Sequence, residues 1–372
     1  MRRPFLFFLF ASASALFVNN SLPLSDASGA ILDCADGTYT FSSGRWWAHC
    51  VSYGLCAAPL PLGCSPAPDD CGARLDHNVS VFSSPDLSPG SWRAEGVALA
   101  AGARRRGVLY RPHLVFSAET RLWVLWANVH EVGVFQGYIT ATSADIRGPF
   151  VAAAAAVNAT RVLATNNCGD FDVWVDSDGA GWLIYTCGHV MGVEALTRDL
   201  LSSAGAVSAL FPPYFVEAPV LFRRGAVYYA LFSWCCCFCR QGSGAMVWTA
   251  AHALGPYTLA NSTAQPDGDV ACVAPPAAAG AGAPALPPAD TPNQGCLYQS
   301  GTPRADTIGA PRSQQNSLIK LNLEGGRVIW TGNRWGQSPD GIKGHEPQAW
   351  LPLTFARDGS VEPIRWLDSF DI

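Results

Sequence analysis

A structural unit that recurs along the chain is the feature that most constrains its fold. In each unit an aromatic segment follows a turn residue, and a segment containing Ser or Thr then ends in a second turn. The second turns contain Asp86, Asp145, Asp199 and His252, which are 59, 54 and 53 residues apart. This period is typical of one four-stranded blade of a β-propeller. Helical periodicity is nearly absent, and we therefore predict an all-β fold, a five-bladed β-propeller.

Five aromatic segments are predicted to be blade strands, because each follows a Gly, Asp-Gly or charged turn. They are Arg45–Trp47, Leu122–Trp126, Gly181–Tyr185, Val227–Phe232 and Arg327–Trp330. A β-sandwich with irregular loops is the alternative architecture for the same set of strands.

The composition is that of a folded, turn-rich chain. Of its 372 residues, 49% are hydrophobic and 14% are charged, and 36 Gly and 27 Pro provide turn residues. This content excludes a disordered chain, a collagen and a coiled coil. The net charge of -5 argues against a nucleic acid partner. We expect a monomer with no stable membrane span.

The N-terminus and the cysteines both indicate the secretory pathway. Arg2 and Arg3 precede an apolar run, Phe5–Val18, and small residues follow. This pattern predicts a signal peptide over residues 1–30, or an uncleaved anchor, followed by a single propeller domain over residues 31–372. The run is too short for a comfortable membrane span. Thirteen cysteines are typical of an oxidising compartment, so we expect a secreted protein or one in the lumen of the secretory pathway.

The spacing of the cysteines favours disulfides over a zinc site, because the Cys235–Cys239 cluster lacks paired Cys-x-x-Cys or His partners. Local pairs are predicted for Cys168 with Cys187 and for Cys272 with Cys296. Other pairs are expected among Cys50, Cys56, Cys64 and Cys71, with the connectivity left open. Between Cys272 and Cys296, residues 273–295 form a low-complexity insertion of Ala, Gly and Pro that we expect to be a flexible surface loop. Sequons at Asn78, Asn158 and Asn261 predict a glycoprotein.

Polar residues at the predicted starts of the first blade strands are the candidate chemical groups. They are Asp36, Arg111, Asp170, Glu217 and Gln314. The first strand of each propeller blade lines the central channel, so these residues are expected to meet at one end of it. Carboxylates that share a site raise the pKa of at least one member, which can then act as a general acid. Glycoside cleavage uses such a pair, although turn capping is the alternative role for any single carboxylate.

Aromatic residues in loop-like sequence are candidates for sugar contact, because Trp rings stack on the apolar faces of pyranoses. Trp234 and Trp335 are predicted to contact substrate, whereas core packing is expected for the Trp residues inside the strands.

Three ordered motifs resemble glycoside hydrolase family 43, and more narrowly its galactan 1,3-β-galactosidase-like branch. They are Gly169–Gly179, with the sequence GDFDVWVDSDG, then Glu217–Pro219, and then Thr331–Trp335. The resemblance extends from about Ile31 to Trp366 and covers nearly the whole chain after the leader. It implies a five-bladed propeller and an inverting hydrolysis without a covalent intermediate.

The resemblance also implies roles for individual residues. Glu217 would be the general acid, Asp170 the carboxylate that orients the acid and raises its pKa, and Asp36 the general base. Gln314 would help to position the attacking water. Arg111, His113 and Arg334 complete the predicted substrate-binding set with Gln314, Trp234 and Trp335.

The resemblance implies no required cofactor. It makes His345 a candidate ligand for a calcium ion bound in the channel.

Three positions depart from the pattern of the branch. Ala35 stands where His is frequent, Tyr110 where galactan-cleaving members carry Glu, and Asn333 where Asp is usual. The expected substrate is a polysaccharide or oligosaccharide, either β-linked and galactan-like or containing arabinosyl or xylosyl units. Because of the three departures, the alternative function is a catalytically inactive carbohydrate-binding propeller of the secretory pathway.

Overall fold

The computed structural model describes residues 16–56, 74–131, 134–154, 168–188, 190–211, 216–234, 245–260, 296–298, 313–322 and 327–372. Within these ranges the chain forms five blade sheets and one two-stranded sheet, and it has no α-helix. The helical segments within these ranges are two short 3-10 helices, Ala101–Ala103 and Lys343–His345. No helix among the described residues has the length and apolar character needed to cross a membrane. The predicted all-β five-bladed propeller is confirmed.

The strands of each blade follow one another in the chain and pair antiparallel. Strand β1 (Phe17–Asn19) lies outside the blades and pairs with β22 (Ser369–Asp371). The first blade contains β2 (Ala35–Ser42), β3 (Arg45–Val51), β4 (Val79–Ser84) and β5 (Arg93–Leu99), and the second contains β6 (Val108–Ser117), β7 (Leu122–Glu131), β8 (Phe135–Ser143) and β9 (Val151–Ala152). The third contains β10 (Cys168–Val175), β11 (Gly181–Cys187), β12 (Val190–Leu196) and β13 (Ser203–Val207). The fourth contains β14 (Val216–Arg224), β15 (Val227–Trp234), β16 (Ala245–Ala250), β17 (Thr258–Leu259) and β18 (Cys296–Tyr298), and the fifth contains β19 (Gln314–Asn322), β20 (Arg327–Asn333) and β21 (Gln348–Leu353).

The first strands of the five blades form a closed ring around a central channel. Neighbouring first strands contact one another in the order β2, β6, β10, β14 and β19, and β19 contacts β2 again. We call these the inner strands. The predicted aromatic segments lie in β3, β7, β11, β15 and β20, the second strand of each blade, where they pack between neighbouring sheets. Ring closure therefore brings residues that are far apart in the sequence to the same end of the channel.

The repeated Asp residues that revealed the period are turn residues in the structure. Asp86, Asp145 and Asp199 each follow the third strand of a blade, and each accepts a hydrogen bond from a backbone N–H two residues later. Such Asx turns cap the chain as it leaves a strand. The repeat therefore marks the turn after the third strand of a blade rather than a site of chemistry.

The segment 16–30, assigned to the leader from the sequence, is part of the described fold. Besides the pairing of β1 with β22, Asn20 donates from Nδ2 to the Trp350 carbonyl at 2.8 Å and accepts from the Trp350 N–H at 2.8 Å. Val18 and Asn20 are both buried. These contacts join the beginning of the described chain to the third strand of the fifth blade. Residues 1–15 and the 273–295 insertion lie outside the described residues.

Candidate active site

One cavity of about 280 Å³ opens at the end of the channel where the inner strands start. All five residues predicted from the strand starts line it: Asp36, Arg111, Asp170, Glu217 and Gln314. Trp335, which the sequence predicted to contact substrate, also lines this cavity. We call this end of the channel the near mouth.

A β-bulge at the start of every inner strand aims these side chains into the cavity. The register of the ladder shifts between Ala35 and Thr38, Tyr110 and His113, Cys168 and Phe171, Glu217 and Val220, and Gln315 and Leu318. Asp36 and Arg111, within two of these bulges, have positive φ values of 52° and 49°. Such a conformation is uncommon outside glycine and is found where bulges redirect a side chain. The bulges therefore convert five regular strand starts into one convergent polar site.

Arg111 is the central cation of the site and is almost fully buried. Its Nε donates to Asp170 Oδ1 at 2.7 Å, and its Nη1 and Nη2 donate to the carbonyls of Asn316 and Gln315, each at 3.1 Å. Burial acts to lower the pKa of Arg111, but the negative charges of Asp170, Asp36 and Glu217 raise it overall. The guanidinium thus links the second, third and fifth blades and lies within the field of all three candidate carboxylates.

Asp36 is the most deeply buried of the three carboxylates, with 3% of its surface exposed. Burial raises its pKa, and the nearby charge of Asp170 adds to this effect. The positive charges of Arg111 and Lys343 oppose the rise, as does the hydrogen bond that Asn333 Nδ2 donates to Asp36 Oδ1. A buried carboxylate with a raised pKa that still has cationic neighbours is a typical candidate general base.

Glu217 is connected to the fifth blade through a chain of side-chain hydrogen bonds. Gln314 Nε2 donates to Glu217 Oε1 at 2.6 Å, and Gln314 Oε1 accepts from Trp335 Nε1 at 2.7 Å. The Lys343 ammonium lies 3.5 Å from the centre of the Trp335 ring and forms a buried ion pair with Glu346. This chain fixes the orientation of the Gln314 amide, because one end must donate and the other must accept.

Two disulfides hold the chain next to the candidate carboxylates. Cys34 is linked to Cys50 and Cys168 to Cys187, so each bond fixes the backbone two residues before Asp36 or Asp170. The predicted pair Cys168–Cys187 is confirmed. The prediction that Cys50 pairs with Cys56, Cys64 or Cys71 is wrong, because the antiparallel pairing of β2 with β3 places Cys50 beside Cys34 instead. Cys56 is also disulfide-bonded, and Cys272 lies outside the described residues.

The second blade supplies a polar wall of the cavity that the sequence analysis missed. Asn128, His130 and Gln136 line the cavity from the hairpin between β7 and β8, together with Tyr110 at the start of β6. In the ladder Tyr110 is opposite Asn128, and His130 is opposite Gln136. The alternation Asn128-Val129-His130 places both polar residues on one face, since strand side chains have a period of two. That alternation was the signal in the sequence.

The remaining predicted site residues either lie away from the near mouth or have side chains outside the described part of the structure. His113 lies farther along the channel, where its Nδ1 contacts Asp172 Oδ1 at 2.9 Å. Arg334 donates to Gln337 Oε1 and to the Asn20 carbonyl, and it does not line the cavity. Trp234 ends β15, and its side chain is outside the described part of the structure.

The described residues around His345 do not form a calcium site in the channel. His345 Nδ1 contacts Asp340 Oδ2 at 2.7 Å, and His345 lines neither the near-mouth cavity nor the rest of the channel cavity. Within the described ranges no group of three or more His, Cys, Asp or Glu side chains could hold a metal ion. The calcium ion therefore stays a prediction, and no step of the chemistry below uses it.

No protein-family model matches the sequence, and no curated protein matches it. Solved structures of glycoside hydrolase family 43 are nevertheless similar to it in fold. A family 43 β-1,3-galactosidase has a TM-score of 0.66 at 18% identity, over 96% of this chain and 64% of that chain. A second, with galactodeoxynojirimycin, has a TM-score of 0.67 at 17% identity, over 95% of this chain and 100% of that chain.

An exo-β-1,3-galactanase from Phanerochaete chrysosporium, crystallised with β-1,3-galactotriose, is similar to the same extent. Its TM-score is 0.66 at 16% identity, over 96% of this chain and 68% of that chain. The chain thus spans less than two thirds of the first of these structures and the whole of the second. At these identities the similarity establishes a shared five-bladed fold.

Proposed function

We propose that the chain is a glycoside hydrolase that cleaves a β-linked, galactan-like polysaccharide or oligosaccharide with inversion at the anomeric carbon. The observation that carries the proposal is the convergence of Asp36, Asp170 and Glu217 around the buried Arg111 at an open cavity. Two carboxyl groups with different environments are the requirement for general acid and general base in one site. The fold shared with β-1,3-galactosidases supports the galactan-like substrate class.

In this mechanism Glu217 gives its proton to the glycosidic oxygen as the bond between that oxygen and the anomeric carbon breaks. Water attacks the anomeric carbon from the opposite face, and Asp36 takes the proton that the water loses. One proton leaves Glu217 and one reaches Asp36, so a proton exchange with solvent restores both groups after each turnover. The Gln314 amide, fixed by Trp335, orients Glu217.

Asp170 and Arg111 arrange the charge between the acid and the base. The Arg111 guanidinium is held by Asp170 at 2.7 Å and lies within the field of Asp36 and Glu217. A preorganised cation of this kind stabilises a carboxylate as it gains negative charge, without reorganising during the reaction. Glu217 becomes such a carboxylate when it gives up its proton.

Hydrolysis of β-1,3-galactobiose and β-1,3-galactotriose, followed by proton NMR of the released sugar, tests the proposal. We expect the α-anomer to form first and Glu217→Gln to lower kcat about 1,000-fold. Glu119→Gln, in an exposed turn, is the matched control and should keep full activity. Full activity of Glu217→Gln, or initial release of the β-anomer, would contradict the mechanism.

A catalytically inactive carbohydrate-binding propeller is the second candidate, and one observation favours it. Asn333 contacts the candidate base Asp36. The galactan 1,3-β-galactosidase-like branch usually carries Asp at the position of Asn333. The inactive protein would bind galacto-oligosaccharides in calorimetry without any turnover over a day of incubation. If the unmodified protein shows turnover and Glu217→Gln abolishes that turnover, the inactive propeller is excluded.

We also propose that the chain enters the secretory pathway through a leader that ends before β1. The disulfides support an oxidising compartment, and the pairing of β1 with β22 supports retention of residues 16–30 in the mature protein. N-terminal sequencing of the mature protein tests this. A mature chain that begins at Ile31 would lack β1 and would overturn the proposed boundary.

A further inference from the structure

A second cavity of about 300 Å³ lies at the opposite end of the channel, which we call the far mouth. The same inner strands form it a few residues further along: β2 over 38–41, β6 over 113–116, β10 over 172–175 and β19 over 317–320. Its volume is within the range of small-molecule sites, and a mono- or disaccharide fits within it. None of the residues that carry the proposed hydrolysis lines it.

Polar groups inside the far mouth lack protein partners. His113 and Thr38 are 98% and 92% buried, and within the described residues neither His113 Nε2 nor Thr38 Oγ1 has a hydrogen-bond partner. Because His113 Nδ1 lies 2.9 Å from the Asp172 carboxylate, Nδ1 carries the proton that it donates to Asp172, and Nε2 is the ring nitrogen that is left for a ligand. Buried polar groups are normally satisfied, so such a pair indicates a bound hydroxyl-bearing molecule or water.

Lys320 adds donors to the same cavity. Its ammonium lies 4.2 Å from the centre of the Trp174 ring, and among the described residues no carboxylate lies within ion-pair distance of it. Burial lowers the pKa of Lys320, while Asp172 and Asp176 oppose the change. Together Lys320, Thr38 and His113 offer several hydrogen-bonding groups in one cavity, and the Asp172 carboxylate lies beside the Lys320 ammonium, which suits a polyhydroxylated ligand.

Exposed aromatic rings flank the far mouth. Only three Phe, Tyr or Trp side chains are exposed among the described residues: Phe17, Phe41 and Phe116. Phe41 and Phe116, at 56% and 44% exposed, both line this cavity, and Phe116 packs against Trp123 with ring centres 5.1 Å apart. Aromatic rings beside hydrogen-bonding groups suit a pyranose, which has an apolar C–H face and a rim of hydroxyls.

We propose that the far mouth is a second carbohydrate-binding site, separate from the near-mouth cavity, which takes a terminal pyranose or disaccharide of the same class of glycan. The interior groups Thr38, His113 and Lys320 bind its hydroxyls, and Phe41 and Phe116 pack on its apolar face. The site binds without hydrolysis, because Asp172 already accepts from His113 and from the backbone N–H groups of Val173 and Leu221. A chain bound there would raise the local concentration of polysaccharide near the enzyme.

Isothermal titration calorimetry tests the site with two oligosaccharides of pyranose rings, β-1,3-galactotriose and xylotriose, as probes. The Glu217→Gln protein prevents turnover, and we expect two binding events with one of the probes. Adding Phe41→Ala and Phe116→Ala should weaken one event at least tenfold and leave the other unchanged. Adding Phe17→Ala, the remaining exposed ring, should change neither. Lys320→Met should weaken the same event that the Phe41→Ala and Phe116→Ala pair weakens.

The outcomes separate this site from the proposed hydrolysis. A binding event that the two Phe changes remove supports the far mouth, whether or not the unmodified protein hydrolyses any glycan. If neither probe shows such an event, the cavity holds water only and the proposal is overturned, even where hydrolysis at the near mouth is observed.

Discussion

Two side-chain pairs, each of a basic residue with an aspartate, join the same two inner strands, β6 and β10, and they differ in what they face. Arg111 contacts Asp170 at 2.7 Å, and two residues further along His113 contacts Asp172 at 2.9 Å. The Asp170 side chain is 22% exposed and lines the near-mouth cavity, whereas the Asp172 side chain is 7% exposed. Asp172 accepts from the backbone N–H groups of Val173 and Leu221 and thereby ties the third blade to the fourth.

The difference shows that one strand, β10, contributes an aspartate to the candidate active site and, two residues later, an aspartate that stabilises the fold. The bulge between Cys168 and Phe171 directs Asp170 into the cavity, and the regular ladder that follows buries Asp172 in the channel. The first pair therefore lines the near-mouth cavity, whereas the second pair faces the far mouth and its aspartate joins the third blade to the fourth. Four predictions test this contrast.

Replacing the two aspartates gives the largest expected contrast. Asp170→Asn should lower kcat/KM for β-1,3-galactobiose about 100-fold or more, because the charge beside Arg111 and the acid is lost. Asp172→Asn should leave kcat/KM within a few-fold. Steady-state kinetics at a temperature where circular dichroism shows both variants folded measures the contrast. Equal losses of activity in the two variants would abolish the distinction between the pairs.

Replacing the two basic residues, Arg111 and His113, should show different losses of stability. Arg111→Met should lower the free energy of unfolding by about 3 kcal/mol, because it leaves buried carboxylates without their cation. His113→Gln should cost less, since an amide can still donate to Asp172. Urea unfolding monitored by tryptophan fluorescence gives both values. A larger loss in His113→Gln would reverse the assigned roles.

The pH dependence of stability should distinguish Asp172 from Asp36. Burial acts to raise the pKa of Asp172, but the hydrogen bond and charge of His113 lower it below its ordinary value. Its ionised form therefore stabilises the fold above about pH 3.9, and this contribution is lost as the pH falls through the lowered pKa. Asp172→Asn should cost about 2 kcal/mol at pH 7. The difference from the wild type should shrink in denaturation measurements made at decreasing pH.

Replacing Asp36 should change stability least of the four residues, and it should raise stability where the other changes lower it. Because burial raises its pKa, its ionised form destabilises the fold, and stability is lost as the pH rises through the raised pKa. Asp36→Asn should abolish hydrolysis while raising the melting temperature at pH 7, and the rise should disappear below about pH 3.9. Asp340→Asn is the control, since the hydrogen bond with His345 lowers the pKa of Asp340 to about 2, and no rise is expected there. A melting temperature that falls in Asp36→Asn would show that its ionised form is not a cost to the fold.

Much of the fold could be predicted because its signals are local. Turn residues such as Asp86 and Asp199 cap the chain within two residues, and aromatic strands such as Leu122–Trp126 follow their own turns. The starts of the inner strands could be predicted for the same reason. The wall containing His130 and Gln136 was missed, because its residues belong to second and third strands whose ends return to the near mouth only through hairpin pairing.

Other features depend on contacts between distant residues. The pairing of Cys34 with Cys50 follows from the register of β2 and β3, and the place of residues 17–19 in the fold follows from pairing with a strand more than 300 residues away. No local pattern encodes either one, because each depends on which segments become neighbours when the ring closes.

The sequence by itself determined the all-β class, the blade period and the five polar residues at the starts of the inner strands, because turns and strand alternation are written within a few residues. Only the tertiary structure decided which polar residues of the inner strands line the near-mouth cavity and which are buried farther along the channel. Asp170 and Asp172 are two residues apart and chemically identical, and they are separated by a bulge and by the neighbours that the closed ring supplies. Burial and charge act over distances between blades, and so the role of each carboxylate is set by the assembled propeller.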